Sequence, residues 1–97
     1  MQLVRTAGAT LVYENGVVGT TAQQVSSANR ELMLQNGVRI KTDAANTDNI
    51  YVGGPNVSAT KGFLLDAAQE LFVPIDQLGK VWVIGGAADQ DYMIIAS

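Results

Sequence analysis

The chain has 97 residues, with six Lys or Arg against nine Asp or Glu, a net charge of −3, and neither cysteine nor histidine. That length accommodates one hydrophobic core, and the acidic balance lacks the basic face with which proteins grip phosphate backbones. The missing cysteines and histidines exclude disulfide staples, thiolate zinc sites, cysteine nucleophiles and imidazole as base or ligand.

Val, Ile, Thr, Tyr, Phe and Trp make up 30 of the 97 residues, and glycines punctuate the short runs they form. This favours many short strands over a helix bundle. The chain opens without a basic stretch leading into an apolar one, and no apolar run reaches the roughly 20 residues of a membrane span. No secretory leader and no membrane segment are therefore expected. Residues 1–8 read as an N-terminal arm. Leu3 and Val4 would point to opposite faces of an extended segment, with Arg5 beside them, and the arm is either an edge strand or a partner contact made through these three residues.

Residues 9–14 and 17–21 flank Asn15-Gly16, a pair suited to a type I′ turn, and predict a hairpin. Residues 21–35 support two readings. Ala22, Val25, Ala28 and Leu32 lie near helical spacing, with Thr21 and Gln24 as a capping box and Gly37 as a stop. The same stretch also reads as two short strands, around Val25 and Met33, flanking a loop at Asn29. Val38-Arg39-Ile40-Lys41-Thr42 alternates apolar with polar, as a half-buried strand does. The turn-rich residues 43–49 then lead to Ile50-Tyr51-Val52, suggesting a second hairpin. Residues 53–62 form the longest turn-like stretch, an exposed loop. Leu71-Phe72-Val73 is a strand that Pro74 should end or confine to an edge. A tight turn over residues 76–79 precedes Val81-Trp82-Val83-Ile84, and residues 92–96 form the last strand. No linker, charge block or repeat divides the chain, so the expectation is a single all-β domain. Its best architecture is a small antiparallel β-sandwich of seven or eight short strands, with one short helix as the alternative over residues 21–35.

Chemistry is hard to find. Gly53-Gly54 and Gly85-Gly86 lack the continuation of a P-loop or a dinucleotide-binding turn. Asp43, Asp48, Asp89 and Asp91 do not fall in calcium-loop order. Asn56-Val57-Ser58 satisfies a glycosylation sequon but reads as a turn. Lys41, Lys61 and Lys80 have no serine at a suggestive spacing. No catalytic residue, metal ligand or cofactor is assigned, and the chain is not expected to be an enzyme.

The informative anomaly is surplus apolar surface. Strands of a two-layer sandwich alternate between core and water, yet residues 81–84 are apolar throughout and residues 93–96 nearly so. With Val81 and Val83 inward, Trp82 and Ile84 face outward. If the two strands pair, Ile94 and Tyr92 join them in a patch of roughly 500 Å². These four residues are the expected oligomer or partner interface. Trp82, Tyr51, Tyr13 and Tyr92 offer an alternative use of the same aromatics, as a sugar-stacking platform.

From Gln24 onward, roughly three quarters of its length, the chain resembles short bacteriophage virion proteins. The likeness lies in residues 38–47 (VRIKTDAANT), 50–53 (IYVG), 62–65 (GFLL) and 70–85 (ELFVPIDQLGKVWVIG), followed by a final strand. Such proteins share a similar "I-K-x-D…N-T…Y-V-G" pattern followed by "I-D-x-L-x-K-V-x-V-I-G". The resemblance implies a small β-sandwich component of the particle. Its first form is a capsid decoration (cement) protein on the outer surface of the major capsid protein, made in the host cytoplasm and stabilising the head. Homo-oligomers would be expected, trimers above all, since cyclic trimers match local threefold positions of a shell. Neither nucleic acid nor membrane would be a partner. The alternative role is a tail, neck or fibre-associated module that recognises a host-surface glycan or another virion protein.

Overall fold

The computed structural model describes residues 11–97, so the arm contacts expected at Leu3, Val4 and Arg5 lie outside the described residues. Eight strands follow in order: β1 (Val12–Val18), β2 (Gln23–Gln24), β3 (Val38–Thr42), β4 (Ile50–Gly53), β5 (Phe63–Leu65), β6 (Glu70–Val73), β7 (Trp82–Gly85) and β8 (Gln90–Ala96). One turn of 3-10 helix, Leu78–Lys80, precedes β7. The strands form two antiparallel four-stranded sheets, ordered β1-β8-β3-β6 and β2-β7-β4-β5. The expected all-β sandwich is the fold.

The pairings are nested. β4 pairs with β5, β3 with β6, β2 with β7 and β1 with β8, as if one long hairpin had been rolled up. Rolling adds the contacts of β8 with β3 and of β7 with β4. This is the double-sheet jelly-roll topology. The core lies between the sheets and includes Val18, Val38, Ile40, Ile50, Val83, Ile94 and Ala96. β3 and β8 bury alternate residues, as the polar/apolar alternation of β3 predicts.

The jelly roll overturns both expected hairpins, because consecutive strands other than β4 and β5 fall in opposite sheets or pair elsewhere. Asn15-Gly16 makes no turn. β1 runs straight through it, and among the described glycines only Gly37 has a positive φ, of 139°. The Asn-Gly signal is overridden by pairing along all seven residues of β1 with β8. Residues 43–49 likewise carry the chain from one sheet to the other. The Asn46 side chain fastens this crossing by donating to the Asp91 carbonyl (2.8 Å) and accepting from the Asp91 N–H (2.8 Å).

Residues 21–35 contain no α-helix. Their backbone groups bond to the segment before β7: Val25 N–H to Val81 O at 2.9 Å, Leu34 N–H to Asp76 O at 2.8 Å, and Leu32 O from Leu78 N–H at 3.1 Å. The strand reading therefore holds in outline, with β2 at Gln23–Gln24 and an isolated bridge joining Met33 to Gln77. Pro74 follows the last residue of β6, which is the edge of its sheet, in keeping with its missing N–H. β5 lies just beyond the expected loop at residues 53–62, in a stretch that the sequence marks only through the resemblance, and its three residues are too few to show a period.

Candidate interaction surfaces

The outer face of the β1-β8-β3-β6 sheet is the least orthodox part of the molecule. Cross-strand register places Tyr13, Ile95, Arg39 and Phe72 in one row across all four strands. The next row holds Asn15, Met93, Lys41 and Glu70. Leu11 and Val17 extend the face along β1. Tyr13 is 75% exposed, Leu11 56%, Val17 54%, Ile95 46%, Phe72 43% and Met93 37%. Aromatic side chains carry about 150–250 Å² each, so these fractions sum to roughly 500 Å² of apolar surface. Leu11, Phe72 and Ile95 line a shallow groove of about 200 Å³ together with Arg39. The Arg39 guanidinium lies 5.6 Å from the Phe72 ring centroid and pairs with Glu70 at 2.9 Å. Its charge is thus held flat against the apolar row by neighbours on β6.

The outer face of the second sheet is smaller and better covered. Ile84, Tyr51 and Leu64 share a row, and Gln24 and Trp82 lie beside Gly53 in the next. Trp82, Ile84 and Tyr51 are half-buried. Val81 and Val83 are inward and buried, as the sequence predicts for partners of an outward Trp82 and Ile84.

Tyr92 and Ile94 lie elsewhere than expected. Each is 3% exposed, and β8 pairs with β1 and β3 while β7 belongs to the other sheet. The strands of Trp82 and Ile94 therefore never meet edge to edge, and the outward residues of β8 are Asp91, Met93 and Ile95. The four aromatics do not form one platform either. Tyr13 is on one outer face, Tyr51 and Trp82 are on the other, and Tyr92 is inside. The apolar richness of residues 93–96 is legible in the sequence, but the expected outward pair, Tyr92 and Ile94, is one residue out of phase with the observed Met93 and Ile95. That slip moves every side chain to the opposite face.

A third feature opens between the edge strands β1 and β2. A cleft of about 430 Å³ is lined by Glu14, Gln23, Gln24, Ser26, Trp82 and Tyr92, among others. Glu14 Oε2 accepts from Ser26 Oγ at 2.8 Å and from Asn29 Nδ2, tying the turn after β2 to β1. The Tyr92 hydroxyl donates to Val25 O at 2.7 Å and accepts from Gln23 Nε2 at 3.3 Å. Burial raises the pKa of this phenol; the Gln23 bond opposes the rise and the Glu14 charge adds to it. Nothing in the sequence singled out Glu14 or Gln23, since their meeting depends on two strands paired to different partners.

Among the described residues no cluster of acidic side chains is arranged to hold a metal ion, and no helix is long and apolar enough to cross a membrane. Comparison with protein-family models, curated proteins and solved structures returns no match.

Proposed function

We propose that the protein is a bacteriophage virion structural protein, a capsid decoration protein that binds the outer surface of the major capsid protein and stabilises the head. The observation that carries this reading is the apolar outer face built by Tyr13, Phe72, Met93 and Ile95. A two-layer sandwich needs polar residues there, and a patch of this size on a small chain is the mark of a contact surface. The sequence resemblance to short virion proteins supports the setting. The jelly-roll topology is compatible with it, since that architecture recurs in viral capsid and lectin domains, though fold alone does not fix function.

In this reading the protein works without cofactor or catalysis, on the particle surface, as a homo-oligomer in which a trimer is favoured. The contact is assigned to the β1-β8-β3-β6 face rather than to Tyr92 and Ile94, which could be reached only by opening the core. On that face Arg39 and Lys41 are balanced by Glu70, which pairs with Arg39, and by the outward Asp91, so charges of both signs border the apolar side chains. These charges would fix register against complementary groups of the shell protein.

The test is binding of purified protein to capsids stripped of it, together with copy number in intact particles. The wild type should attach at shell-scale copy number, and Ile95→Lys should abolish attachment while the variant stays folded. A copy number as low as that of a neck or tail component would transfer the protein to the alternative role. Undiminished attachment of Ile95→Lys would show that this face is not the contact.

A further inference from the structure

The geometry points to a second, separate binding site: the cleft between β1 and β2, with a neutral saccharide as its ligand. The inference does not depend on the capsid contact, which lies on the opposite side of the β1-β8-β3-β6 sheet.

The cleft exists because two edge strands carry polar residues where the core pattern asks for apolar ones. Along β1 the inward positions are Val12, Glu14, Gly16 and Val18, and along β2 Gln23 is the register partner of the fully buried Val83. A carboxylate at an inward strand position is a departure from pattern of the kind that functional sites show. At about 430 Å³ the space falls within the range of about 300–1,000 Å³ typical of small-molecule sites.

The hydrogen bonds decide what the cleft offers. Both bonds to Glu14 end on Oε2. Gln23 uses its amide nitrogen on Val17 O (3.0 Å) and the Tyr92 hydroxyl, and Gln24 uses its own on Gly79 O (3.0 Å). Because carbonyl oxygens can only accept, these partners fix which end of each amide is nitrogen. Glu14 Oε1, Gln23 Oε1 and Gln24 Oε1 then accept no hydrogen bond among the described residues. The cleft thus presents acceptors on these three side chains, while the Trp82 indole N–H, the Asn15 amide and the Ser27 hydroxyl, which also line it, donate no hydrogen bond among the described residues.

Such a set selects its ligand by chemistry. No Lys or Arg lines the cleft, so an anion would meet only the Glu14 charge. One carboxylate does not make a metal site. Hydroxyl groups, which donate and accept, suit both the acceptors and the donors, and an apolar C–H face suits the indole. A neutral sugar ring carries both.

Trp82 is the only tryptophan of the chain, so its emission reports on the cleft directly. The experiment titrates the full chain with the methyl glycosides of glucose, galactose, mannose and N-acetylglucosamine. At least one should shift Trp82 emission, with millimolar affinity and little dependence on salt. Glu14→Gln should weaken that binding about tenfold or more, as loss of a charged acceptor does, and Ile95→Lys should leave it unchanged. If Glu14→Gln fails to fold, Gln24→Ala takes its place and should weaken binding in the same direction. The proposal is overturned if none of these glycosides shifts the emission up to its solubility limit. It is equally overturned if the cleft variants bind as the wild type does, or if only an amino compound such as glucosamine binds and salt suppresses it.

Discussion

Gly16 on β1 stands directly opposite Tyr92 on β8, and the Tyr92 ring occupies the space where a side chain of residue 16 would be. A Cβ placed on Gly16 would come within 3.0 Å of three atoms of the tyrosine ring and hydroxyl. The glycine therefore serves close approach rather than a turn. The ring laid over it reaches across the sandwich to bond Val25 O, just beyond β2, so one strand pair of the first sheet anchors the edge of the second.

Filling that space should be costly. Gly16→Val is expected to destabilise the protein by about 1–3 kcal/mol, the usual range for overpacking, as read by urea denaturation. In Gly16→Ala the penalty should shrink when Tyr92 is also replaced by Ala, so the double variant loses less than the sum of the singles. Simple additivity would show that the ring and the glycine are not coupled.

The same tyrosine should give the fold an alkaline limit. Its folded pKa is raised, chiefly by burial, above the ordinary value of 10.0. The native state then holds the phenolic proton after the unfolded chain has released it. Stability is fully present below about pH 10 and falls as pH rises from there through the folded pKa. Tyr92→Phe should lower stability at neutral pH by about 1–3 kcal/mol, because Val25 O loses its donor, yet flatten the decline above pH 10. Paired denaturation curves at neutral and alkaline pH read both effects, and an unchanged alkaline slope in Tyr92→Phe would assign the decline to other groups.

The β class, the alternation of β3 and the stop at Pro74 were all legible because each is a local signal: a period of two, or a missing N–H. The partners were not. Asn15-Gly16 looks like a hairpin turn from its own residues alone, and only the distant β8, pairing along the whole of β1, makes it a strand interior. The surfaces follow the same division. An excess of apolar residues in 81–84 and 93–96 is visible in composition, but which of Ile94 and Ile95 faces water depends on register with β1 and β3. The cleft at Glu14 was invisible for the same reason.

That register has a sharp consequence. Ile94 is buried and Ile95 nearly half exposed. Ile94→Ala should cost about 2–5 kcal/mol, as truncation in a packed core does, whereas Ile95→Ala should cost well under that. Thermal or urea unfolding of the two variants in parallel checks it. Equal losses would mean that both faces of β8 are covered in the folded protein, as they would be in an oligomer that persists at the assay concentration. Repeating the Ile95→Ala measurement on diluted protein distinguishes that case.

Gln90, at the start of β8, is the largest polar side chain sealed in the interior among the described residues, 1% exposed. Its carbonyl oxygen accepts from Asp48 N–H at 2.9 Å, and its amide donates to Ala88 O at 2.8 Å and Thr47 Oγ1 at 3.1 Å. Every polar atom of the side chain is thereby matched, and the crossing from β3 to β4 is clamped to the turn before β8. Gln90→Leu keeps much of the volume but removes the side-chain partner of the Asp48 N–H and of the Ala88 carbonyl, both on exposed residues. The expected loss is about 0.5–1.5 kcal/mol for each hydrogen bond removed. Because the damage is confined to one crossing, amide exchange at Asp48 should accelerate more than exchange within β3 or the middle of β8. A uniform acceleration across the sandwich, tracking global stability alone, would show that Gln90 acts as general core filling rather than as a clamp on that crossing.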